Sequence, residues 1–130
     1  MQLEAEKQYS VYLKHVQNIL RNKITDSSTL HKLGKYLFAS LFQGVFARDT
    51  LPAKVKYAIG NLDRSDQEGS HWVAIADGMI YDSFGRDVGL NRQMTAKDAE
   101  QGVQEENCGQ RCKAFLCVYH VLGPKYAMHI

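Results

Sequence analysis

Asn107-Cys108-Gly109-Gln110-Arg111-Cys112-Lys113-Ala114-Phe115-Leu116-Cys117-Val118-Tyr119-His120-Val121-Leu122-Gly123-Pro124 reads as a helix with both ends marked. Asn is a favoured N-cap residue, and Gly followed by Pro is a stop signal. Between them Cys108, Cys112, Phe115, Leu116, Tyr119 and Leu122 recur at helical spacing and predict one buried stripe. Cys108 falls in the first turn. A helix N-terminus carries partial positive charge, which favours a thiolate over a thiol, so a cysteine there is a candidate nucleophile. A lone buried cysteine is more often inert packing, and the reading turns on what the rest of the chain brings to it.

Upstream, Trp72-Val73-Ala74-Ile75-Ala76 reads as a buried strand, Asp77-Gly78 as a two-residue hairpin turn, and Met79-Ile80-Tyr81 as the returning strand. With Asp77-Gly78 as the loop, Ala76 pairs with Met79 and Val73 with Asp82. His71 then shares a face with Asp82 as its diagonal neighbour, roughly 7–8 Å away at the backbone and within reach of long side chains. Val55, Tyr57 and Ile59 alternate with Lys54, Lys56 and Ala58, which predicts a further strand. Residues 86–107 are polar and weakly periodic, with one short helix expected around Thr95 to Glu100.

The N-terminal part is helical in pattern. Tyr9, Leu13, Val16 and Leu20 mark one face of a helix over residues 2–22, and Leu30, Leu33, Leu37 and Leu41 mark a second. Gly34 interrupts the second, and Phe42-Gln43-Gly44-Val45-Phe46 reads as its exit into an extended segment. Helices, then strands, then a capped helix indicate an α+β domain. At 130 residues a single domain is expected, with residues 1–40 as a helical N-terminal part.

Composition is that of an ordinary globular chain, with 45% hydrophobic and 23% charged residues. The net charge of +2 is uneven: residues 1–60 carry +5, residues 61–110 carry −6 and residues 111–130 carry +3. A basic first half permits nucleic-acid contact, although a solvated helix face is the plainer reading. The three cysteines lie in one predicted helix and make a poor disulfide framework, so a reducing compartment rather than secretion is expected. Residues 1–7 lack the apolar core of a signal peptide, and no stretch approaches the roughly 18 apolar residues of a membrane span.

A cysteine nucleophile needs a base, and the base needs orienting. His71 can take the proton, and Asp82 can hold the imidazole and stabilise its charged form. The Cys108 backbone N–H, at a helix start, can donate to an oxyanion, and Gln101 or Gln104 can supply a second donor. The plainer alternatives are a structural His beside a strand and an Asp that caps a turn. Cys108 and Cys112 share a helix face, but no CxxC pair or His-rich knuckle accompanies them, and no metal site is expected. Cys112 and Cys117 read as packing, and His15, His31, His120 and His129 as surface or packing residues.

Gly69-Ser70-His71-Trp72-Val73-Ala74-Ile75, Tyr81-Asp82-Ser83-Phe84-Gly85, and Gln101 followed by Cys108-Gly109 together resemble the adenovirus-type (adenain-like) cysteine proteases of DNA viruses and virus-like mobile elements. The SUMO-specific proteases share the same catalytic order. The segment from Phe42 to Pro52 is similar to one upstream of the His in the viral branch, so the likeness covers roughly residues 42–122. It implies a papain-like fold in circularly permuted order, with a mixed or antiparallel sheet packed on a central helix that starts at the nucleophile. It implies Cys108 as nucleophile, His71 as general base, Asp82 as its orienting acid and Gln101 as oxyanion donor, with Trp72 shaping the site. Gln101 is preferred over Gln104 because Gln104 lies only four positions before the nucleophile. Two departures stand out: a shorter connection between His71 and Asp82, and Asp where adenovirus enzymes carry Glu, as is usual in the SUMO-protease branch.

The resemblance implies a monomeric endopeptidase acting on viral precursor proteins in the host nucleus or cytoplasm and in the virion. No cofactor is required by the sequence, although relatives can use a peptide or DNA activator. A deubiquitinase-like or SUMO-protease-like isopeptidase, and a catalytically silent binding module, are the alternatives.

Overall fold

The computed structural model describes residues 2–20, 27–62, 71–83, 93–95 and 107–130. The amphipathic N-terminal stretches form α1 (Gln2–Leu20) and α2 (Ser27–Phe38), and one turn of 3-10 helix follows at Ala39–Leu41. Five strands come next: β1 (Phe42–Phe46), β2 (Tyr57–Asn61), β3 (Trp72–Ala76), β4 (Met79–Tyr81) and β5 (Gln93–Met94). The chain closes with α3 (Cys108–Leu122) and α4 (Pro124–Ala127). The architecture is α+β with a mixed sheet in the order β1-β2-β3-β4-β5. The outer pairs β1/β2 and β4/β5 are parallel, and the inner pairs are antiparallel.

The hairpin has the register its turn predicts, with Ala76 opposite Met79 and Ala74 opposite Tyr81. Asp77 has φ 53°, the left-handed conformation a two-residue hairpin turn requires and Asp tolerates. Strand alternation then sorts the core into two layers. Tyr57, Ile59, Ala74, Ala76, Met79 and Tyr81 join the cluster that holds the helices. Ala58, Val73, Ile75 and Ile80 face the other way and pack with Val55, Phe46, Leu51 and Leu62. On β3 two of the helix-side residues, Ala74 and Ala76, are alanines, and their small size lets α3 lie against that strand.

The stripe expected on α3 is too narrow a description. Gly109, Gln110, Arg111, Cys112, Lys113, Ala114, Phe115, Leu116, Val118 and Tyr119 are all buried, because α1 packs on α3 from one side and β3 from another. Tyr81 stacks on Phe115 with ring centroids 4.8 Å apart and planes 3° from parallel, which ties helix to sheet. Gly123, at φ 89°, ends α3 with its N–H on the Tyr119 carbonyl. The Gly123-Pro124 pair ends α3 as expected, and Pro124 also opens the short α4 at the first helical position, where a missing N–H costs nothing.

Two other expectations need correcting. Leu41 is not part of the α2 stripe: α2 stops at Phe38, and Ala39 takes φ 51°, which turns the chain and leaves Leu41 exposed. Phe38 fills the core instead, edge-on to Tyr57. Thr95 does not start a helix: its N–H extends the β4–β5 ladder to the Ile80 carbonyl, and residues 96–100 lie outside the described set. Gly34, the odd residue within α2, sits where a Cβ would run into Lys113 Nζ and the Phe42 ring.

Lys113 is fully buried, with Nζ 3.7 Å from the Phe42 ring centroid and no hydrogen-bond acceptor among the described residues. Burial pushes its pKa down to about 7, against the opposing pull of Cys112 and Cys117. The unfolded chain protonates this group near 10.5, so between that value and about 7 it binds more protons than the folded state does. Stability therefore falls as pH falls through this window. Lys113→Met should stabilise the fold at pH 7 by about 1–3 kcal/mol, because an unpartnered buried donor is removed. In chemical denaturation the advantage should shrink steadily towards pH 10; an advantage independent of pH would exclude this account.

Candidate active site

The site is assembled where the β3–β4 hairpin ends beside the first turn of α3. His71 immediately precedes β3 and Asp82 immediately follows β4, so the register that pairs Ala74 with Tyr81 brings both to the same end of the sheet. His71 Nε2 lies 2.5 Å from Asp82 Oδ1, and both residues are buried. The imidazole also bonds the Cys108 thiol; with Nε2 held by Asp82, Nδ1 is the ring nitrogen left for that contact. The three side chains thus form a line from carboxylate through imidazole to sulfur.

Backbone groups complete the sulfur's surroundings. The Trp72 N–H donates to Cys108 Sγ at 3.5 Å, and the Gly109 N–H also points to the sulfur. Trp72 is half-buried and packs against the main core cluster. As the first residue of α3, Cys108 has a backbone N–H with no acceptor inside the helix. Asn107 starts α3 in a different way from the one its residue type suggested. Its carbonyl accepts the Arg111 N–H at 3.0 Å, but its side chain makes no capping bond. Asn107 Oδ1 instead accepts from Arg111 Nε at 3.0 Å, because the guanidinium one turn along lies on the same face.

Burial alone would keep the pair neutral: it lowers the His71 pKa and raises that of Cys108. The bonds to Asp82 and Cys108, and then the charges of both, outweigh it and lift His71 from 6.5 to about 9. The His71 bond, the Trp72 N–H, the His71 charge and the Gly109 N–H bring Cys108 below its ordinary value. The other two thiols move the opposite way. Burial pushes Cys112 well above the usual range and Cys117 to about 11, so Cys108 is the one cysteine set up as a nucleophile.

Gln101 and Gln104, the two candidate oxyanion donors, lie outside the described residues. No group of three or more His, Cys, Asp or Glu that could hold a metal occurs among the described residues. No helix among them is long and apolar enough to cross a membrane. Sequence reasoning passed over Arg111 and Tyr9, whose side chains meet at 3.2 Å beneath the site. The available signal was the Asn107-to-Arg111 spacing of one helical turn. It also left His120 without a partner, whereas His120 Nδ1 lies 3.1 Å from the Tyr57 hydroxyl, far along α3 from Cys108. Comparison of the chain with models of protein families, with curated protein sequences and with solved structures finds no match.

An imidazolium beside a thiolate makes a reactive sulfur. Iodoacetamide at pH 7, followed by peptide mass spectrometry, should label Cys108 at least about ten-fold faster than Cys112 or Cys117. Asp82→Asn removes the carboxylate that supports the imidazolium, so the pH midpoint of Cys108 labelling should rise. A midpoint that stays in place would deny Asp82 any part in activating the thiol.

Proposed function

We propose that the chain is a cysteine endopeptidase of the adenovirus type, built on a papain-like fold in permuted order and acting on viral precursor proteins. The observation that carries the reading is the hydrogen-bonded line Asp82–His71–Cys108, with the sulfur at a helix start and backbone N–H groups directed at it. The quoted resemblance supplies the family. Asp82 itself favours a second reading, an isopeptidase of the SUMO-protease kind, since Asp rather than Glu stands at that position.

In the reaction the Cys108 thiolate attacks the scissile carbonyl carbon, and the carbonyl electrons move onto oxygen. The Cys108 backbone N–H, with Gln101 as the second donor, stabilises that oxyanion. The C–N bond then breaks as the His71 imidazolium gives its proton to the departing amine, which leaves a thioester. Water, deprotonated by His71, attacks the thioester, and the acid product departs with regeneration of the thiolate. Asp82 keeps the ring oriented and supports its positive charge through both steps.

Cleavage profiling on a peptide library, with Cys108→Ala alongside, tests the assignment. The variant should keep its circular dichroism spectrum and lose both cleavage and active-site probe labelling; retained cleavage would end the assignment. Ubiquitin-like probes in the same assay decide between precursor peptides and Gly-Gly isopeptides. The rate as kcat/KM should follow a bell against pH. Its acid limb reports formation of the thiolate–imidazolium pair, and its alkaline limb lies near 9, where His71 loses the proton needed by the leaving group. An alkaline limb near 6.5 would show that His71 is not held in its charged form.

A further inference from the structure

The residue before the nucleophile and the residue before the acid are joined under the site by a buried chain of side chains. Asn107 Oδ1 accepts from Arg111 Nε at 3.0 Å, Arg111 Nη1 donates to the Tyr9 hydroxyl at 3.2 Å, and the Tyr9 and Tyr81 hydroxyls lie 2.7 Å apart. All four residues are buried. The chain crosses three elements: the start of α3 through Asn107, α1 through Tyr9, and the end of β4 through Tyr81. Its second member is a guanidinium, whose N–H groups project at fixed angles and so fix two acceptors relative to one another.

We infer that Tyr9 and Arg111 are positioning residues that set the tip of α3, and with it Cys108, against the His71–Asp82 end of the hairpin. The inference rests on the proteolytic reading of the site. Cys108 and His71 sit on separate elements, so their distance depends on how the first turn of α3 is held to the sheet. The Tyr81–Phe115 stack fixes α3 two turns further along, and the Arg111 chain fixes its tip. A misplacement of about 1 Å between reacting groups can cost on the order of a hundred-fold in rate. On this view α1, which ends well before His71 in the sequence, belongs to the catalytic apparatus through the single hydroxyl of Tyr9.

Tyr9→Phe keeps the ring and its edge contact with Tyr81 and deletes one oxygen, while Arg111→Lys keeps the charge and loses the fork. Each should lower kcat about ten-fold with KM unchanged, and raise the pH midpoint of Cys108 alkylation. The double variant should be little worse than the poorer single, because both cut one chain. Tyr57→Phe removes the hydroxyl of another buried tyrosine, bonded to His120 further along α3, and should leave kcat and the midpoint in place. A lower melting temperature with unchanged kcat and midpoint in Tyr9→Phe and Arg111→Lys would assign them to stability alone and overturn the inference. Additive losses in the double variant would also overturn it. A wild-type Cys108 that labels like an ordinary thiol overturns the proteolytic reading and this inference together, whereas an activated wild type with unaffected variants defeats only the inference.

Discussion

The burial of α3 is the constraint on which the rest of the structure depends. A helix enclosed on nearly every side needs small residues on the strand beneath it, and Ala74 and Ala76 supply them. Enclosure also forces each polar side chain on the helix to find a local answer. Arg111 finds acceptors on Asn107 and Tyr9, whereas Lys113 finds, among the described residues, the face of Phe42 and no hydrogen-bond acceptor. The last turn of α3, at His120 and Val121, reaches solvent, and at the other end the half-buried Cys108 meets the end of the sheet. A buried middle that anchors an accessible tip is a sound way to hold a reactive atom still.

The His71–Cys108 pair shows how electrostatics follow from that placement. Two buried groups would ordinarily discharge each other's environment by staying neutral. Here each partner supplies a bond or a charge that makes the other's ionised form cheaper, and the sulfur gains two main-chain donors as well. Cys112, one turn along the same helix, has the same chemistry and a dry apolar setting, and its thiol stays protonated. Residue type decides what is available, and position on the helix decides what is used.

Much of this was legible before any coordinates. Asp77-Gly78 specified the turn, the turn specified the register, and the register made His71 and Asp82 neighbours. Asn107 and Gly123 bounded α3 correctly, because end signals are local. What escaped notice was long-range. Arg111 and Lys113 fell outside the expected stripe, since periodicity cannot say how many neighbours a helix has. The parallel pairing of β1 with β2 leaves no local mark, as it depends on the course of residues 47–56 rather than on any turn signal. Tyr9 was identified as core by its spacing, but its hydroxyl's partners lie 72 and 102 residues away.

The donors that hold the sulfur of Cys108 include the main-chain N–H groups of Trp72 and Gly109. Every residue except proline carries such a group, whatever its side chain. Genetic drift at positions 72 and 109 can therefore reshape the surroundings of the sulfur while these two donors persist, so long as the strand and the helix keep their paths. A lineage descended from this chain could change what it recognises sooner than it loses the stabilisation of its thiolate.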